Sequence, residues 1–262
     1  MIQIKNLGTR GEIYLYGTII DDSDAQWLRD EDGNMIGYQF PQNIREQLDS
    51  LKGLPIDIHI SSDGGSVSAG LAIAHMIAEH DAPTTAIIDS WGASIASVIA
   101  MSANTIRMYD TSFLMIHNPA VGGVFGGAEL LRSIADWLDK IKTVIAETYQ
   151  KHSEKTLDEI IAKMDAETWF TASEAKEFFT NVEIIDGGSL KAVAKLDMTA
   201  INGYKNVPEA VKIALTAEDN ANNDNANNDN NNEADEADKI VDDAVNHILD
   251  VLRGAYNYEE KG

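Results

Sequence analysis

The stretch Trp91-Gly92-Ala93-Ser94-Ile95-Ala96-Ser97 joins two apolar runs of different character. Before it, Thr84 to Ile88 reads as a strand; after it, Ile95 to Met101 reads as a helix. A serine at a strand-to-helix junction meets the free N–H groups and positive dipole end of the helix, and both favour an oxyanion. Taken alone, the heptapeptide reads more readily as a helix start with Ser94 as its N-cap than as a nucleophile's setting. The rest of the chain has to separate cap from nucleophile.

Working outward, the same alternation repeats. Residues 11–20 read as a strand broken at Gly17, and Pro41 to Leu51 as a helix carrying Ile44, Leu48 and Leu51. Pro55 to Ile60 is a short strand, Ser61 to Ser66 a glycine turn, and Val67 to Glu79 a helix. Thr84 to Asp89 and Ser94 to Ala103 give the next strand and helix, followed by strands at Thr105–Tyr109 and Phe113–Ile116. Such an order predicts a layered α/β fold with its loops gathered at the strand ends. Beyond them a long helix is expected from Ala128 to about His152, its stripe running from Leu131 to Tyr149. A helix at 157–164, a helix start with Ser173 as N-cap, and a strand at 182–185 complete the core.

The chain has 262 residues, 44% of them hydrophobic, which suits one large globular domain with an appendage. Cysteine is absent, which excludes disulfides, thiolate metal sites and a cysteine nucleophile, and fits a reducing cytoplasm. The N-terminus has no apolar stretch of signal-peptide length, and no run is long enough to span a bilayer. A formal net charge of −23 repels phosphate backbones, so no nucleic-acid partner is expected. Residues 216–262 carry 13 acidic and 3 basic side chains, −10 of that total. From Asn220 to Asn232, nine of thirteen residues are Asn, a composition that cannot bury enough apolar surface to order itself. The domains are therefore read as a globular unit at 1–200, a low-complexity linker at 201–237 and an amphipathic helix with tail at 238–262. The last helix, with Ile240, Val241, Ala244, Val245, Ile248, Leu249 and Leu252 on one face, needs a partner for that face.

Serine is a poor nucleophile without a base, the base needs an orienting acceptor, and the reaction needs N–H donors for its oxyanion. His117 lies 23 residues after Ser94, Asp165 another 48 on, and Gly65 29 before Ser94, in a turn that leaves its backbone exposed. No metal motif is present, and neither Gly64-Gly65 nor Gly122-Gly123 is followed by the Lys-Ser of a phosphate loop. Ser97, one helical turn beyond Ser94, is read as structural, and His59, His75, His80, His152 and His247 as structural or surface residues.

Three blocks carry a resemblance: Asp63-Gly64-Gly65-Ser66-Val67-Ser68-Ala69-Gly70, Gly92-Ala93-Ser94-Ile95-Ala96, and Met115-Ile116-His117-Asn118-Pro119. A fourth, Glu167 to Ala175, resembles the block that follows the catalytic aspartate of the same family. Together, in order and over residues 10–190, they resemble the Clp protease proteolytic subunit (ClpP) family, in wording closest to its phage and prophage head maturation branch. The resemblance implies a crotonase-like fold of β-β-α repeats with a handle helix at 128–152, assembled into a homo-oligomeric ring. It implies Ser94 as nucleophile, His117 as base and Asp165 as orienting acid, with Asp158, Glu159 and Glu167 as alternatives for the acid. It assigns the oxyanion to the N–H groups of Gly65 and Ile95, and substrate binding to the strip around Gly122, Gly123, Val124 and Phe125, which would hold a peptide as an added strand. One departure is Ser62-Asp63-Gly64-Gly65, where the family usually has Ser-Pro-Gly-Gly.

The function implied is a serine endopeptidase that needs no cofactor and cuts capsid or scaffold precursors, and also its own tail, in a bacterial cytoplasm or inside a procapsid. A housekeeping ring protease fed by an ATP-driven unfoldase is one alternative. A capsid assembly or scaffold protein with a secondary protease core is another. A crotonase relative acting on acyl-coenzyme A is the most distant.

Overall fold

The computed structural model describes residues 4–28, 37–186, 204, 206 and 207. Its elements follow in chain order: β1 Ile4–Asn6, β2 Gly11–Ile19, α1 Asp22–Ala25, β3 Tyr38–Gln39, α2 Pro41–Ser50, β4 Ile56–Gly65, α3 Val67–Ala78 and β5 Thr84–Ala93. Then come α4 Ile95–Met101, β6 Thr105–Tyr109, β7 Phe113–Ile116, α5 Ala128–Gln150, α6 Leu157–Asp165, β8 Thr168–Thr171, α7 Ala172–Phe178 and β9 Val182–Ile185. The fold is the mixed α/β layering expected of a ClpP-type core. The linker and terminal helix anticipated at 201–262 lie outside the described residues, apart from Tyr204, Asn206 and Val207.

The main path of the sheet runs β1-β2-β4-β5-β6-β9, parallel from β2 onward. Ile56, Ile58 and Ile60 of β4 and Ala86 and Ile88 of β5 face Ile73 and Ile77 of α3 and Val98 and Ile99 of α4, all buried in one core. Each such aliphatic side chain taken from water contributes roughly 1.5–3 kcal/mol. The opposite face holds Tyr14, stacked on His59 with ring centroids 4.7 Å apart, and His59 Nδ1 lies 2.9 Å from Asp89 Oδ2.

On the side away from β4, β5 belongs to two pairings. Its first half, Thr85 to Ile88, pairs with β6; its last residues, Trp91 to Ala93, pair with β7, which in turn pairs antiparallel with β8. The sheet forks at this point, and the ends of β4, β5 and β7 come together on one side of the fork.

Three local expectations are corrected. Ser61 to Gly65 is not a free turn: β4 continues through it, because Gly64 and Gly65 pair with Thr18 and Ile19 of β2. That partner is some 45 residues away and leaves no local mark. Helix α7 is capped by Thr171 rather than Ser173, with a full capping box to Glu174. Helix α4 starts at Ile95 and ends at Met101, leaving Ser94 just outside it.

Candidate active site

Ser94 follows the last residue of β5 and precedes the first of α4. Its N–H bonds Met115 O on β7 at 3.0 Å, which sets it beside the chain that leads to His117. A capping serine would be extended, with its oxygen accepting from the helix. Ser94 instead has φ 55° and ψ −129° and makes no side-chain cap bond. Positive φ on a residue with a Cβ costs of order 1–3 kcal/mol and is concentrated at functional sites. The Oγ freed from capping lies 2.7 Å from His117 Nε2.

The His117 ring is largely buried, which lowers its pKa below the ordinary 6.5; the negative charge of Glu167 partly opposes this. At neutral pH the imidazole is therefore unprotonated, the form a base requires.

The end of β4 is pressed against Ser94. A Cβ on Gly64 would come within 2.7 Å of the Ser94 Cβ and 3.2 Å of Ile95 N, and one on Gly65 within 2.0 Å of Ile19 O. Both glycines have positive φ, 99° and 141°. Glycine is thus the residue that leaves the first amide of α4 uncovered, at a helix end whose N–H groups lack acceptors within the helix. The turn is braced by Ser62 Oγ, which donates to Gly17 O at 2.6 Å, and by Asp21, whose carboxylate accepts from Ser66 and Ser68 Oγ, both at 2.6 Å.

Asp165 ends α6. Its carboxylate accepts from Asn118 Nδ2 at 2.8 Å and pairs with Lys142 Nζ on α5, and these two partners, Lys142 first, lower its pKa. Among the described residues it makes no hydrogen bond to His117. Of the other acids considered, Glu159 is held in the capping box of α6 with Thr156. Glu167 sits at φ 48° directly before β8, and its charge is felt by His117.

A cavity of about 380 Å³ adjoins the site, its mainly apolar wall including Leu71, Pro119, Val121, Trp137, Leu138 and Ile141. The strip Gly122, Gly123, Val124, Phe125 is irregular backbone between β7 and α5, with Phe125 91% exposed. Among the described residues no group of His, Asp or Glu has a metal-binding arrangement, and no helix is long and apolar enough to cross a membrane.

The sequence reading missed Asp21, Asn118, Lys142, Trp169 and Tyr204. Only Asn118 and Trp169 carried a local signal, as members of the quoted blocks. Tyr204 reaches the site from a stretch read as linker: its ring meets His117 edge-on at 5.4 Å and Trp169 at 5.7 Å.

A strained serine at a strand-to-helix junction, hydrogen-bonded to a neutral histidine beside an uncovered helix N-terminus, has the geometry that a nucleophile and its base require. The Clp protease family model matches residues 36–186, more than half of the chain, and the chain belongs to that family. It is 36% identical over 160 residues to the ATP-dependent Clp protease proteolytic subunit 1 of Chlamydia abortus, covering 56% of this chain and 83% of the relative. The namesake of Chlamydia caviae is 31% identical over 176 residues, 60% and 92% of the two chains. The ATP-dependent Clp protease proteolytic subunit of Bacteroides fragilis is 35% identical over 169 residues, 63% and 75%.

Proposed function

We propose that the protein is a serine endopeptidase of the ClpP type. The observation that carries this is the 2.7 Å contact between Ser94 Oγ and His117 Nε2. In the first step Ser94 Oγ attacks the peptide carbonyl while His117 takes its proton, which it then gives to the leaving amine. The N–H groups of Gly65 and Ile95 receive the oxyanion; losing one such donor costs about 3 kcal/mol of barrier. Asp165 is the orienting acid once its carboxylate turns from Lys142 and Asn118 to the imidazole, and Glu167 is the carboxylate whose charge His117 already feels. The adjoining apolar cavity suits an apolar side chain next to the cut, with the 122–125 strip holding the substrate backbone.

The exposed apolar residues of α5, Leu130, Leu131, Trp137 and Val144, favour assembly into a homo-oligomeric ring through that helix. For the substrate, the wording of the blocks and the acidic, Asn-rich extension favour capsid or scaffold precursors, cut during phage head maturation in the bacterial cytoplasm or the procapsid. The names of the relatives favour a second reading, a proteolytic subunit served by an ATP-driven unfoldase.

The test is to co-express wild type or Ser94→Ala with a phage capsid precursor. Cleavage by wild type alone supports head maturation. If the precursor survives, while a tagged folded protein is degraded only with ATP and a purified unfoldase, the second reading replaces the first. Wild type as inert as Ser94→Ala in both assays, and on short peptides, overturns the protease reading.

A further inference from the structure

Residues from far along the chain lie against Ser94 and His117. The Tyr204 ring stands edge-on against His117 and Trp169, with interplanar angles of 82° to each. Its hydroxyl donates to the carbonyl of Asp63, just before Gly64-Gly65, and also meets the Ser94 side chain. Two residues on, Asn206 N donates to Glu167 Oε1 at 2.8 Å, and Asn206 Nδ2 donates to Ala166 O at 2.7 Å. Val207 is buried. These contacts fall on the nucleophile, the base, the glycine turn and the acidic residue beside the base, and so cover the space a substrate needs.

We propose that the stretch bearing Tyr204, Asn206 and Val207 is an internal plug that occupies the catalytic cleft and keeps the enzyme latent until a substrate displaces it. The proposal rests on the protease reading of Ser94. The group placed against Ser94 is a phenol, which has no electrophilic carbon, so the plug is an inhibitor and not a substrate at that atom. Because its O–H is given to Asp63 O, the phenol offers Ser94 only an acceptor. Ser94 has a single hydroxyl hydrogen, and the phenol competes with His117 for it. Burial and the Asp63 carboxylate both raise the Tyr204 pKa, so the phenol stays neutral across the working range.

The affinity required is small because the plug is tethered. At an effective concentration on the order of 1 mM, a contact with a Kd of about 0.1 mM closes roughly nine molecules in ten. A substrate that makes bonds along a longer backbone then competes successfully where a short peptide does not.

The test uses the full chain with Tyr204→Ala beside wild type, and two measurements. The first is kcat/KM for a short fluorogenic peptide. The second is binding of the fluorescein-labelled hexapeptide Gly-Tyr-Lys-Asn-Val-Pro, the sequence of residues 203–208, which reads the cleft without catalysis. Removing the plug is expected to raise both the peptide kcat/KM and the hexapeptide affinity about tenfold, the inverse of the open fraction. Tyr204→Phe, which keeps the ring and loses the hydroxyl, should fall between the two and guards against a folding defect in the alanine variant. Equal binding and equal rates in wild type and Tyr204→Ala overturn the plug and leave the protease intact. A lower rate in a folded Tyr204→Ala also overturns it, making Tyr204 an aid to catalysis. If no variant hydrolyses the peptide, the protease reading fails, and the hexapeptide affinities still decide whether the plug exists.

Discussion

Ser97 is wholly buried, and its hydroxyl donates to Ser94 O at 2.6 Å and accepts from Tyr149 Oη at 2.7 Å. Ser94, three residues earlier, has the same hydroxyl but turns it toward a histidine just past the end of β7. The difference lies in the backbone and in what faces it. Ser97 sits in ordinary helix, under the end of α5, and its hydroxyl is spent on closing the first turn of α4 and tying it to Tyr149. Ser94 sits at positive φ against Gly64, where any side chain would collide with it. One residue type becomes a strut or the partner of a histidine according to torsion and neighbours.

Substitutions can break this contrast at either serine. The largest effect is expected at Ser94: replacement by alanine should cut peptide hydrolysis by about 10⁴- to 10⁶-fold with the fold intact. Comparing Ser94→Gly with Ser94→Ala sharpens the point, because both remove the nucleophile while only glycine accepts the positive φ freely. Thermal unfolding should show the glycine variant more stable than the alanine one by about 1 kcal/mol; equal stabilities would mean that the turn carries no strain. Ser97→Ala should reverse the pattern, losing about 1–3 kcal/mol of stability because the Tyr149 hydroxyl is left buried without its partner, while retaining measurable turnover.

The smallest effect concerns pH. Since burial lowers the His117 pKa, the acid limb of kcat/KM should have its midpoint below the ordinary histidine value of 6.5. Glu167 works against that shift, so Glu167→Gln should move the limb further toward acid. A limb that moves toward alkaline pH in this variant would show that Glu167 does not act on His117 through its charge.

The strand and helix periods of residues 41–116 were legible because each element buries one face, and α5 was legible from a stripe that repeats over 23 residues. Strand β8 was hidden because its partner β7 is distant and its four residues carry no period of their own. The Thr171 cap was legible in principle, since Thr171-x-x-Glu174 is a capping-box pattern; Ser173 drew attention from it. Ser94, His117 and Asp165 stood out by their neighbours in sequence. The Lys142 and Asn118 bonds of Asp165 did not, because they join α5 and the loop after β7 to the end of α6. Tyr204 was invisible for the same reason: a tyrosine in a polar tail has no local signature of the ring it covers.

The Ser97–Tyr149 bond also anchors one end of α5. Ile145, Ala146 and Tyr149 of that helix are buried, Ile141 packs against the core and Lys142 pairs with Asp165, and Trp137, Leu138 and Ile141 wall the cavity beside Gly65. At about 1.5 Å per residue, a tilt of about 5° pivoting at Tyr149 sweeps the Ala128 end through about 3 Å and Ile141 through about 1 Å. The pivot itself stays still. The helix is anchored one turn from Ser94 and exposed at its far end, so a displacement of its tip would be felt in the pocket more than at the Ser94–His117 pair.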